Sequence, residues 1–294
     1  MTSDVIKKYL KAGKAAAKAL ERGKDICAVD KPYFDVVQGV EEVITDEGAL
    51  PAFPVNVSVN NVGAHYTPYP GDGMLFKRGD VVKIDVGCHV DGYIADNAAT
   101  VELGTRRYTN LIDAAEEALS IAVNTIREGV KVGEVGNNIE SIITNKGYVP
   151  IKNLSGHAIE RYELHAGLSI PNVGGGREKI KKGMVLAVEP FATDGKGKVV
   201  NDRPSEILRL RGERRLKGED LEFYKWLEQR FDNLPFASYW CKSYGGDYSR
   251  LLKRVRRFGA VMSYPILLEA KNGIITQREN TMIVTSKGAR IITK

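Results

Sequence analysis

A chain of 294 residues, 43% hydrophobic and 27% charged, is ample for a large buried core and ordinary for a globular protein. It holds no apolar run of membrane-spanning length, and the polar, Ala/Lys-rich Met1 end lacks a secretory leader, which points to the cytoplasm. Cys27, Cys88 and Cys241 form no CxxC pair and support neither a disulfide framework nor a thiolate zinc site, while the net charge of +6 is concentrated between Arg203 and Arg257, where 14 Lys/Arg face 8 Asp/Glu.

Ser3 or Asp4 can cap a first helix that runs to about Arg22, with Ile6, Tyr9, Leu10, Ala16, Ala17 and Leu20 on one face and Gly23 ending it. A second follows Asp30-Lys31-Pro32, with Tyr33, Val36, Val37, Val40, Val43 and Ile44 at helical spacing, and closes at Gly48. Two β-rich arms, Val81–Gly87 and Tyr93–Val101, flank Asp91-Gly92 and predict a hairpin. With the turn centred between Val90 and Asp91, Asp85 falls directly opposite Asp96, where like charges repel unless a cation lies between them. Leu111 to Ile126 and Val135 to Ile143 predict a third and a fourth helix, ending at Gly129 and Gly147.

The second and fourth helices align at an offset of 99, with Val36/Val135, Glu41/Glu140, Ile44/Ile143, Thr45/Thr144 and Gly48/Gly147 identical. Two helices followed by strands, twice over, predict an α+β fold with duplicated, pseudo-two-fold halves. The stretch from Asn153 to Pro171 is too glycine-broken for a long helix. Met184–Phe191 reads as a strand, followed by a turn at Asp194-Gly195-Lys196-Gly197. From Arg203 to Tyr264 the chain reads as helical and basic, a helical insertion subdomain at residues 203–264 within one catalytic domain spanning 1–294. Strands resume over Gly273–Thr285 and at Ile291-Ile292.

Asp85, Asp96, Glu189 and Glu279 sit on or beside strand-like segments, where a buried carboxylate is costly without a partner. With His157 they form an oxygen-rich set able to hold two divalent ions, an arrangement used to activate water in aminopeptidases. The chain has no HExxH helix and no Ser/His/Asp spacing, so zincin and serine-hydrolase readings lack support.

The stretch Phe53-Pro54-Val55-Asn56-Val57-Ser58-Val59-Asn60 is followed by Ala64-His65-Tyr66, Lys83-Ile84-Asp85-Val86-Gly87, Asp96-Asn97-Ala98-Ala99-Thr100, Ser155-Gly156-His157, Leu164-His165-Ala166-Gly167 and Glu189-Pro190-Phe191. In combination, and over almost the whole chain, this resembles the methionine aminopeptidases. The insertion resembles their type II branch, and the short N-terminal stretch their archaeal members. The resemblance implies the pita-bread (creatinase/aminopeptidase) fold and two divalent ions, with Co, Mn, Fe and Zn all compatible. Asp85 would hold one ion, His157 and Glu189 the other, and Asp96 and Glu279 both. A water activated between them would attack the carbonyl after the initiator methionine of a nascent peptide, preferentially one with a small second residue. The resemblance further implies Glu189 as proton shuttle, His165 as oxyanion stabiliser, His65 as partner of the scissile amide, and Phe53, Leu164, Phe191 and Tyr264 as the methionine pocket. In one place the chain departs from the family: Glu279 is flanked by Arg278 and Asn280, where an aromatic residue and a histidine are usual.

Two alternatives share that fold. A prolidase or Xaa-Pro aminopeptidase generally carries an N-terminal domain, whereas about 50 residues precede Phe53 here. A non-catalytic RNA- or ribosome-binding relative would usually have lost ligands, and all five are present. The basic insertion could still draw an active enzyme to ribosomal RNA; neither DNA nor a membrane is an expected partner.

Overall fold

The computed structural model describes residues 1–213 and 215–294, so Arg214 of the basic segment lies outside the described residues. The chain opens with α1 (Ser3–Ile26) and α2 (Tyr33–Asp46), then β1 (Leu50–Pro51), β2 (Asn56–Val59), β3 (Val62–Ala64) and the long hairpin β4 (Val81–Val90) and β5 (Tyr93–Glu102). The order then repeats as α3 (Thr109–Thr125), α4 (Val132–Asn145), β6 (Val149–Pro150), β7 (Ser155–Ile159), β8 (Ser169–Pro171), β9 (Val185–Val188) and β10 (Phe191–Thr193). The offset of 99 seen in the helices carries α2 onto α4 and β1 onto β6 residue for residue, and starts β2 and β7 at equivalent positions.

One nine-stranded sheet runs β1-β4-β5-β15-β9-β7-β8, with β2 added to β4 and β16 to β15; here β15 is Glu279–Val284 and β16 is Ala289–Ile291. The apolar faces of α1 and α2 pack with β4 and β5 into one core, through Ala12, Ala16, Leu20, Val36, Val40 and Ile84. Those of α3 and α4 form a second core with β7, β9 and β15, through Leu111, Ala118, Ile139, Ile143, Leu186 and Met282. Each helix pair thus buries its stripe on one half of the sheet, as amphipathic helices must. Among the described residues no helix is long and apolar enough to cross a membrane, and the three cysteines are free and buried.

Four local expectations are corrected. First, α1 does not stop at Gly23 but passes through it to Ile26. A Cβ there would stand 2.9 Å from a Val40 methyl, so the residue marks where α2 presses on α1. Second, the hairpin turns on Asp91 (φ 52°) and Gly92 (φ 82°), not one residue earlier, and Val90 pairs with Tyr93. Positive φ at both central residues is the two-residue turn that Asp-Gly favours. Asp85 therefore pairs with Ala98 and Asp96 with Gly87, which places the two carboxylates diagonally on one face of the ribbon.

Third, the presumed strand Met184–Phe191 is two strands. β9 pairs with β15 in the large sheet, whereas β10 pairs with β14 (Ile275–Gln277) in a small one, and the chain changes sheets at Glu189-Pro190 and at Arg278 together. Fourth, the segment 203–264 is helical only in its middle. Residues 203–210 belong to β11 (Val199–Leu210) and residues 261–264 to β13 (Val261–Glu269), an antiparallel pair. Between them lie α5 (Glu219–Phe231), β12 (Phe236–Ala237), a 3-10 turn (Ser238–Tyr244) and α6 (Tyr248–Arg257), packed around Phe223, Leu227, Phe236, Leu251 and Val255.

Candidate metal centre

The sheet change builds the site. Glu189 directly follows β9, Glu279 opens β15, Asp85 and Asp96 project from β4 and β5, and His157 lies at the middle of β7. All five line one cavity of about 250 Å³, and so do the other six residues singled out from the sequence: Phe53, His65, Leu164, His165, Phe191 and Tyr264.

One side of this cavity is polar. Single ligand atoms of Asp96, His157 and Glu279 lie within 4.8 Å of one another, and His157 Nε2 stands 3.6 Å from Asp96 Oδ2. His157 Nδ1 faces the Ala158 carbonyl at 3.4 Å; a carbonyl only accepts, so that nitrogen carries the proton and Nε2 offers a lone pair to the carboxylates. Burial, and then the neighbouring His165, push His157 down to about 3 and keep it neutral. A lone pair facing a carboxylate oxygen at that distance suits either a metal ion between them or a proton on Asp96.

Burial raises all four acids. Asp85 is pushed up to about 7, with hydrogen bonds from Gln277 and Asp96 opposing the shift. Asp96, Glu189 and Glu279 are raised well above the carboxylate range, by burial first and then by neighbouring charge, that of Asp85 acting most on Asp96 and Glu189 and that of Asp96 most on Glu279. Asp85 Oδ1, Asp96 Oδ1 and Glu279 Oε1 are buried with no hydrogen-bond partner among the described residues. Four carboxylates crowded out of water, with orphaned oxygens and one neutral imidazole, fit hard or borderline divalent cations.

The other side is apolar. Phe53, Leu164 and Phe191 are buried, and Tyr264 packs edge-on to His65 at 5.2 Å. The Phe53 ring lies on the backbone at Gly87, where any Cβ would overlap it. His65 holds φ at 66°, its N–H donates to Asn56 Oδ1 at 2.7 Å and its Nδ1 donates to the Pro265 carbonyl at 3.0 Å. Burial lowers its pKa, so the neutral ring keeps an Nε2 lone pair for an N–H donor. His165 is exposed as a whole residue, but desolvation of its ring, and then His65 and Arg209, push it down to about 4; the ring lies 4.4 Å from that of His157, tilted by 54°.

Sequence reasoning missed two residues here. Gln277 donates from Nε2 to Glu189 at 3.3 Å and to Glu279 at 3.2 Å, bracing the two glutamates. Its one sequence signal was its place two residues before Glu279; the two stand on either side of the sheet change, at the end of β14 and the start of β15. Asn56 pairs with Asp85 across β2 and β4 and orients His65. Arg278 and Asn280, the departures flanking Glu279, turn away instead. With Asn97 they line a separate hollow against Lys14 and Lys18 of α1. Arg278 donates to the Ala98 carbonyl at 3.3 Å and the Asn280 amide meets the Thr293 hydroxyl at 2.9 Å.

Together, the duplicated fold and a buried carboxylate cavity beside an apolar slot define a metal-dependent peptidase. Residues 7–221 match metallopeptidase family M24. A methionine aminopeptidase of Thermococcus onnurineus is 41% identical over 292 residues, covering 97% of this chain and 98% of its own. One of Archaeoglobus fulgidus is 42% identical over 298 residues, covering 100% of each. The crystal structure of a methionine aminopeptidase from Thermotoga maritima superimposes with a TM-score of 0.74 at 25% identity, over 100% of this chain and 98% of that one. The chain belongs to family M24 and, within it, to the methionine aminopeptidases. Its fold is the pita-bread fold that the resemblance implied, in keeping with the duplicated halves.

Proposed function

We propose that the chain removes the initiator methionine from nascent polypeptides in the cytoplasm, with two divalent ions held by the five clustered residues and a preference for a small second residue. The observation that carries this reading is the meeting of four carboxylates, Asp96 and Glu279 buried and Asp85 and Glu189 partly buried, and a neutral His157 with an apolar slot in a single cavity. Asp85, Asp96, His157, Glu189 and Glu279 would hold the ions; the orphaned oxygens of Asp85, Asp96 and Glu279 support that role. Such ions lower the pKa of bound water and polarise a carbonyl.

The protein's own groups do the rest. Phe53, Leu164, Phe191 and Tyr264 take the unbranched thioether, which suits a narrow apolar slot. The His65 Nε2 lone pair accepts the scissile amide N–H, and His165 donates to the oxygen on which charge develops. Glu189, between Gln277 and the other carboxylates, takes the proton from water and returns it to the leaving amine.

In this reading residues 1–294 form one catalytic domain, and residues 203–264 are a subdomain inserted in it. α6 buries Leu251, Leu252 and Val255 and carries Lys253, Arg254, Arg256 and Arg257, a basic side suited to ribosomal RNA phosphates near the exit of nascent chains. Arg254 is already engaged by Asp220 at 2.8 Å, which leaves fewer charges for that role. Salt-dependent co-sedimentation with ribosomes is the test, and no binding at low salt rejects it.

Peptide choice tests the activity. The metal-loaded protein should release methionine from Met-Ala-Ser and leave Ala-Pro peptides intact. Cleavage of Ala-Pro alone would make it a proline-directed enzyme, and cleavage of neither would favour a binding protein.

A further inference from the structure

Lys83 lies on β4 two residues before Asp85, so strand alternation sets both on the same face. It is fully buried, and among the described residues it forms no ion pair. Its Nζ donates to the Asn60 carbonyl at 3.1 Å and the Ile275 carbonyl at 2.8 Å, and to nothing else among the described residues. Burying an amino group in this way is costly, and a methionine of similar length would fill the same space more cheaply. Core packing therefore does not account for a nitrogen at this position.

The two carbonyls belong to segments that lead into the metal centre. Asn60, at φ 56°, makes the turn between β2, which carries Asn56, and β3, which leads to His65. Ile275 lies on β14 two residues before Gln277, the brace of Glu189 and Glu279. The Ile275 N–H also bonds the Asn60 carbonyl at 3.1 Å, so the three segments meet around one nitrogen.

We propose that Lys83 is a positioning residue of the metal centre: its amino group ties the Asp85 strand to the Asn56–His65 turn and to the Gln277–Glu279 segment, fixing the spacing of groups that no single strand could hold. The tie is made by N–H donors and involves no change of charge. It rests on the metallopeptidase reading above, and acts on metal affinity and turnover without touching substrate.

Two variants test it, Lys83→Met, which keeps the stem, and Lys83→Ala, which leaves room for a small amine. Groups hydrogen-bonded directly to metal ligands are typically worth about 10- to 100-fold; Lys83 acts one step further out, through the Asn60 and Ile275 carbonyls, so Lys83→Met should bind Co2+ about 10-fold more weakly, the low end of that range, in a titration of the metal-free protein. At saturating metal its kcat on Met-Ala-Ser should fall by a similar factor, with KM changed less than about two-fold, because the methionine slot is untouched. In Lys83→Ala, methylammonium should restore Co2+ affinity and kcat saturably, while choline chloride at equal ionic strength should not. Wild-type Co2+ affinity in Lys83→Met, a folded Lys83→Ala indifferent to methylammonium, or variants that fold in neither salt would each assign Lys83 to the core alone and overturn the proposal. Wild-type protein that binds Co2+ but releases no methionine would instead count against the proposed peptidase, leaving the metal titration to judge Lys83.

Discussion

Asp96→Ala is expected to bind metal poorly and to lose peptide hydrolysis by at least ~10³-fold in kcat/KM, equivalent to about 4 kcal/mol of transition-state stabilisation. Asp96 is the residue through which the cluster is joined. Its Oδ2 faces His157, its Oδ1 has no partner, and its charge is the largest charge influence on Glu279. Its backbone is held independently, by exchange of hydrogen bonds with the Thr281 hydroxyl at 2.7 and 2.8 Å, so the fold should persist without its carboxylate. Steady-state kinetics and metal analysis, with circular dichroism as the control for folding, check this. An Asp96→Ala protein that is folded, metal-poor and still active would remove the cluster from the reaction, and unchanged biological function in an inactive variant would favour a binding role.

Metal removal should make the protein less stable as pH rises from 6.5 to 8. Unfolded carboxylates ionise near pH 4, whereas Asp85 titrates at about 7 in the fold and Asp96, Glu189 and Glu279 lie well above their ordinary range. The folded state therefore binds more protons than the unfolded state in this window, and stability falls with pH. Each extra proton gives a slope of about 1.4 kcal/mol per pH unit. His157 and His165, pushed down to about 3 and 4, act with the opposite sign, but their contribution is already complete above about 6.5 and is lost only on acidification. Lys83, lowered to about 7 by burial, opposes the trend by one proton at most, against four raised acids. Divalent ions should reverse the slope, since they displace those protons and bind more tightly as pH rises. Melting temperatures in chelator and in Mn2+ across this range decide the matter, and a metal-free melting temperature that holds or climbs would contradict the crowding of buried acids.

Much of this architecture was legible because it is periodic. The helical stripes of α1 to α4 and the offset of 99 are one-dimensional signals, and they fixed the halves and the order of their elements. The errors arose where a local rule met tertiary structure. Gly23 stops an isolated helix, but here the approach of Val40 makes it a packing position. A turn centre one residue too early shifts the expected hairpin pairing by two residues, from Asp85 opposite Asp96 to Asp85 opposite Ala98, which keeps the face, and only backbone angles fix it. Residues 203–210 read as helical because β11 is exposed from Val200 to Pro204 and shows no clean alternation.

The site was legible as motifs but not as a shape. Nothing in the spacing of Glu189 and Glu279 shows that both lie where paired strands leave one sheet for another. Gln277 and Lys83 were hidden for a simpler reason: they act through hydrogen bonds to carboxylates and carbonyls contributed by distant strands. Arg278 and Asn280, the visible oddities, turned out to face the back of the sheet.

The most direct test of the central claim is an anomalous difference map from crystals grown with Mn2+. Two peaks are predicted within the cavity, both reached by Asp96 and Glu279, one of them also by Asp85 and the other by His157 and Glu189. A map with no peak among these side chains, or with a single ion and no second site, would contradict it.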